Sequence, residues 1–118
     1  MSYPFNPGDD LIFQLESGFG LLRLLAVEGE GSGTVWHLLA YDEFFPDVES
    51  AERALAGTTP LPVRKAHMAL TNRAFERTPV ARLGNRPVTE NELDAYRAWL
   101  NSDKNVSDRS ALLMLGIR

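Results

Sequence analysis

The sequence predicts an α+β fold: one domain over residues 1–118, built on an antiparallel meander of four or five strands, curled toward a barrel, with a C-terminal helix packed on one face and short additional helices. Three observations predict it. Segments between Asp9 and Phe44 alternate side chains with a period of two and are separated by glycine-rich turns. Thr89-Glu90-Asn91-Glu92 spells a capping box and opens a run with helical spacing. The 118-residue length suits a single core, since domains most often hold ~100–150 residues and bury roughly two thirds of their unfolded surface at that size.

Tyr3-Pro4-Phe5-Asn6-Pro7-Gly8 is an extended lead-in, because each proline drives the residue before it away from helix. Asp9 to Glu16 is the first strand, with Leu11, Phe13 and Leu15 on one face and Ile12, Gln14 and Glu16 on the other. Ser17-Gly18-Phe19-Gly20 makes a tight connection. Leu21 to Glu28 is the second strand, with Leu21, Arg23, Leu25 and Val27 opposite Leu22, Leu24 and Ala26. Both of its faces are largely apolar, so burial on both sides is expected. Glu28 to Gly33 is too rich in glycine for anything but a hairpin loop. Thr34 to Phe44 returns as the third strand, expected at the centre of the sheet.

Asp47 or Ser50 caps a short helix, Val48 to Ala56, with Val48, Ala51 and Leu55 as its apolar stripe and Gly57 as its end. Thr58 to Pro62 is an extended link. Residues 63–76 fit two patterns, a strand by alternation and a helix through Ala66, Leu70 and Ala74; Pro62 and Val63-Arg64 favour the strand. A short strand follows around Val80–Leu83, then a turn at Gly84-Asn85. The capped helix runs from Glu90 to about Asn101. Its Leu93, Tyr96, Trp99 and Leu100 are expected against Leu22, Leu24, Trp36 and Leu38. Ser107 or Asp108 introduces a last short helix, Ser110 to Leu115, closed by Gly116.

The net charge of −4 is unevenly spread. Residues 1–61 hold ten carboxylates against Arg23 and Arg53, whereas residues 62–87 hold six bases against Glu76 alone. Such asymmetry shapes a partner's approach or describes two halves of one domain attracting each other. The sequence contains no cysteine, which excludes disulfides, thiol catalysis and cysteine-based metal sites and fits a reducing compartment. Residues 1–8 carry neither the basic nor the apolar region of a secretory leader. No apolar run approaches the ~18 residues of a membrane span. A cytoplasmic protein with no membrane partner is expected, compatible with a monomer or a homodimer.

Several constellations bear on chemistry. His37, Asp42, Glu43 and His67 are the residue types zinc favours. Their spacing matches no zinc signature, and a histidine beside a core tryptophan is ordinarily a hydrogen-bonded edge-of-core residue; neither metal nor cofactor is expected. There is no Gly-x-Ser-x-Gly elbow, His-Glu-x-x-His or phosphate loop, and adjacent Asp42-Glu43 is ill placed for paired acid–base work. The chain is therefore expected not to be an enzyme. Arg64, Lys65, Arg73, Arg77, Arg82 and Arg86, with Phe75 among them, offer a basic track for single-stranded nucleic acid. A pI near 5.1 runs against it.

Tyr41, Asp42, Glu43, Phe44, Phe45 and Asp47 form an acidic-aromatic run that resembles the apolar centre and charged rim of a small interface. The plainer alternative is that one phenylalanine enters the core and the carboxylates cap the next helix. The sequence ranks a non-catalytic protein-interaction module with an unknown protein partner first, a single-strand nucleic-acid binder second, and a small-ligand cleft in a half-open barrel third.

Pro7-Gly8-Asp9, Leu11-Ile12-Phe13-Gln14-Leu15 and Gly18-Phe19-Gly20-Leu21-Leu22-Arg23-Leu24-Leu25 together resemble the opening of certain bacterial toxin-immunity proteins. The resemblance implies a partly open, SH3-like β-barrel and a toxin-blocking, inhibitor-like role in a bacterial cell. It spans about twenty residues of the 118. Asp10 departs from it, standing where an apolar residue is expected, and no residue's role carries over with it.

Overall fold

Alternating side chains do become strands in the computed structural model, which describes residues 5–116. Tyr3 and Pro4 of the expected lead-in lie outside those residues. The strands are β1 (Asp9–Leu15), β2 (Gly18–Glu28), β3 (Val35–Phe45), β4 (Val63–Thr71) and β5 (Val80–Asn85). They form one sheet in the order β4-β3-β2-β1-β5, with every neighbouring pair antiparallel. The helices are α1 (Val48–Ala56), α2 (Asn72–Glu76), α3 (Glu90–Leu100) and α4 (Ala111–Leu115). The fold is α+β, with a Cα radius of gyration of 13.5 Å, as expected of a compact domain of this length.

The sheet is open rather than closed into a barrel. After α2 the chain returns to pair β5 with β1, so β4 and β5 form opposite edges. That return also makes β2 the central strand, with β3 beside it. Residues 63–76 divide between the two patterns they fit. Thr71 accepts a hydrogen bond from the Ala74 amide and so ends β4 by capping α2.

Helices cover both faces, which explains why β2 is apolar on both. On one face Leu11, Phe13, Leu22, Leu24, Trp36 and Leu38 meet Ala74 and Phe75 of α2 and Ala111 and Leu115 of α4. Trp36 stacks on Phe75 at a centroid distance of 4.2 Å. On the other, Ile12, Leu21, Leu25, Leu39, Tyr41 and Phe45 meet Ala51 of α1, with Tyr96 of α3 packed alongside. Burying each such leucine contributes roughly 1.5–3 kcal/mol.

Two expectations about faces are corrected. Val27 joins Leu22 and Leu24 rather than Leu21 and Leu25, because a register shift between Leu24 and Ala26 inverts the alternation that follows. The α3 helix lies on the face opposite Leu22, Leu24, Trp36 and Leu38. Its Tyr96 and Trp99 rings pack on His37, 4.6 Å away in each case, and His37 points away from its strand neighbours Trp36 and Leu38.

What draws α3 to that face is Arg23, whose side chain is only 1% exposed. Its Nε donates to Glu92 Oε2 at 2.5 Å and its Nη2 to Glu92 Oε1 at 3.1 Å. Its Nη1 donates to Asp10 Oδ1 (3.2 Å) and the Gly8 carbonyl (2.9 Å), and Nη2 also reaches the carbonyls of Arg86 and Pro87, both at 3.0 Å. Asp10 is in turn gripped by Arg86 through Nε at 2.7 Å and Nη2 at 2.8 Å. Glu92 meanwhile completes the capping box with Thr89, as the sequence foretells. One guanidinium thus joins β1, β2, the segment after β5 and the first turn of α3.

The outer edge of β4 is partly covered. Ser107 donates its amide to the Ala69 carbonyl (2.8 Å) and accepts from the Thr71 amide (3.0 Å), while residues 63–66 stay exposed. At the far end, Gly116 takes a left-handed φ of 69° and closes α4 as expected. Gly57 ends α1 without one, at φ −74°.

Removing one partner of a buried ion pair leaves the other charge uncompensated. Arg23→Met is expected to destabilise the fold by about 3–5 kcal/mol, read as a fall in the urea unfolding midpoint; a change within about 0.5 kcal/mol, typical of surface sites, would show that the clasp is dispensable.

Candidate functional site

The acidic-aromatic end of β3 is divided by strand alternation. Tyr41 and Phe45, each 8% exposed, enter the core beside Ala51. Asp47 is the α1 N-cap, accepting from the Ser50 amide and hydroxyl, each at 2.7 Å. Those bonds hold its carboxyl below the usual range. Asp42, on the opposite face from Tyr41, pairs with Arg64 at 3.2 Å. Arg64 also donates twice to the Leu115 carbonyl, fastening the end of α4. The side chains of Glu43 and Phe44 are the members with no hydrogen bond or ion pair among the described residues.

Phe44 is 45% exposed and is the only aromatic side chain classed as exposed among the described residues. It sits across from Gly20 in the β2–β3 register, and Phe13 from β1 lies over the same glycine. A Cβ at Gly20 would fall 2.4 Å from the Phe13 ring, so only glycine lets that ring lie there. Beyond Phe44 opens a recess of about 330 Å³ lined by Leu15, Glu16, Ser17, Gly18, Arg64 and Gly116. The arrangement is an apolar ring beside a shallow recess, with Glu16 on its rim and the Asp42–Arg64 pair on the same strand face; Glu43, by the same alternation, falls on the face of Tyr41 and Phe45.

The six bases are not gathered on one surface. Arg64 and Lys65 lie on β4 at one edge of the sheet, and Arg82 lies on β5 at the other, followed by Arg86. Arg73 and Arg77 both hold Asp108, the first by its carboxylate and the second by its carbonyl. Arg86 is committed to Asp10, and Arg82 stands 4.0 Å from Asp9. Lys65 is the one member with no ion pair or hydrogen bond among the described residues.

His37 and His67 do come together, although Asp42 and Glu43 do not join them. His37 Nδ1 and His67 Nε2 are 2.9 Å apart, and the rings stack at 5.2 Å. Glu28 Oε1 lies 2.6 Å from His37 Nε2, off the line a hydrogen bond requires, and accepts from the Tyr96 hydroxyl at 3.2 Å. Burial lowers the pKa of His37 against the opposing pull of Glu28. Burial, and then the neighbouring charges of His37 and Lys65, lower that of His67 to about 4. No group of three or more His, Asp or Glu side chains among the described residues is arranged to hold a metal ion. No helix there is long and apolar enough to cross a membrane.

Sequence reasoning missed the set made of Asp10, Arg23, Arg86, Glu92 and Tyr41. Two signals pointed to it: an arginine in the middle of a strand apolar on both faces, and an aspartate where an apolar residue was expected. Compared with protein-family models, curated proteins and solved structures, the chain matches none.

The histidine pair carries a pH dependence. Unfolded histidines titrate at the ordinary 6.5, so between there and about 4 the unfolded chain binds protons that the folded one refuses. The His67 contribution to stability is complete above about 6.5 and is lost as the pH falls toward 4, and the lowered His37 acts in the same direction. The urea midpoint is expected to drop between about pH 7 and about pH 5 and to drop less in His67→Phe; equal slopes would remove the pair as the cause.

Proposed function

We propose that this chain is a non-catalytic protein-interaction module whose contact surface is centred on Phe44. The observation that carries the reading is the exposure of that ring, at 45%, when the other aromatics among the described residues are wholly or partly buried. An aromatic anchor at the centre of a small patch, with charge around it, is the usual composition of a binding hot spot. The carboxylate of Glu16 on the rim of the recess, within a half-chain that is strongly acidic, suits a partner that presents basic side chains around an apolar socket. The resemblance of residues 7–25 to toxin-immunity proteins points the same way, toward an inhibitor that covers a basic surface on its target. A chain without cysteine suits the reducing cytoplasm for such a role.

The double variant Phe44→Ser, Glu16→Lys touches neither the core nor a cap. It is expected to abolish capture of the partner that the native protein retains from a cell extract, while its urea midpoint stays within about 0.5 kcal/mol of native stability. Undiminished capture by a folded variant would reject this surface.

A further inference from the structure

A second feature lies on the other face of the sheet, away from Phe44. Between α1, the link to β4 and the start of α3 is a cavity of about 370 Å³, within the ~300–1,000 Å³ range of small-molecule sites. Leu39, Ala54, Leu55 and Leu61 supply apolar wall, and Tyr41 and Arg86 bring polar groups to it. We propose that this cavity binds a small organic monocarboxylate, its oxygens taken by Tyr41 and Arg86 and its hydrocarbon part by the leucine-lined wall.

The hydrogen-bond inventory of these two residues supports the assignment. Tyr41 Oη accepts from Arg86 Nη2 at 3.3 Å, and its own proton has no acceptor among the described residues. Burial raises the Tyr41 pKa, so the hydroxyl keeps that proton at neutral pH. The hydroxyl lines the cavity, so that proton is offered to whatever occupies it. Arg86 spends Nε and Nη2 on Asp10, which fixes the plane of the guanidinium; its Nη1 has no acceptor among the described residues and, on a side chain 46% exposed, is open to the cavity and to solvent. Glu92 is the one anion lining the cavity, and both of its oxygens already accept from Arg23, one of them also from the Thr89 amide. What is left over at the polar end is donors: one hydroxyl proton and two guanidinium N–H groups. A carboxylate is the group that accepts both, and its bond to the arginine is charge-assisted. The apolar wall asks for an aromatic or branched aliphatic body rather than a second charge.

Calorimetric titration of the full chain with benzoate, phenylacetate and hexanoate tests this against the matching amides, benzamide, phenylacetamide and hexanamide. At least one acid is expected to bind, and its amide about tenfold or more weakly, as the loss of a hydrogen bond to a charged group implies. Tyr41→Phe, which removes a single oxygen, is expected to weaken the acid about tenfold. In the native protein the methyl resonances of Leu55 and Leu61 should shift on titration, which places the ligand without recourse to a variant. Binding by none of the acids, equal binding of acid and amide, or shifts confined to residues outside the cavity would each overturn the proposal.

Discussion

A charged group held almost wholly out of water is the constraint on which this fold depends. Taking Arg23 from solvent is expensive, and a single counter-ion would not repay the cost. The repayment comes from number: two carboxylates and three backbone carbonyls surround the guanidinium, so every N–H has somewhere to go. Because Arg23 stands across from Asp10 in the β1–β2 register, the pair also fixes that register. A slip of one residue would turn the guanidinium toward the leucine face under α2 and α4, away from Asp10 and Glu92. The same side chain holds the start of α3, so strand pairing and helix placement are decided together.

This arrangement shows where reading the sequence stops. Local signals were legible: the strands, the Asp47 cap, the Thr89–Glu92 box and the closing Gly116 all depend on neighbours a few positions away. Placement across the sheet was not. The stripe of Leu93, Tyr96 and Leu100 says that α3 must bury a face, but periodicity does not say on which side of the sheet. That choice is made by Glu92 reaching a residue 69 positions earlier. The bulge that turns Val27 over leaves no mark in the alternation before it. Likewise alternation within a strand does not say whether the meander closes; that follows from β5 lying beside β1 while β4 stays unpaired with it.

The candidate surface at the end of β3 was half legible for the same reason. Period-two alternation divides Tyr41 and Phe45 from Asp42 and Phe44, and a patch read as one run becomes a core anchor, a cap, an ion pair and an exposed ring. A second use of tyrosine and arginine emerges on the other face: Arg86 spends Nε and Nη2 on Asp10 and Tyr41 accepts from it, while Nη1 and the tyrosine proton are left unspent among the described residues. The basic track fared worse, since its members follow one another in sequence yet part company at the two ends of the sheet.

An open sheet has raw ends, and the short stretch around Ser107 bears on what becomes of one of them. By lying alongside Ala69 and Thr71 it occupies part of the hydrogen-bonding rim that another molecule would otherwise extend. The uncovered remainder carries Arg64 and Lys65, whose like charges would meet head-on if two copies joined there. Both features narrow the length of rim on which a further strand could pair, while the sheet stays unclosed.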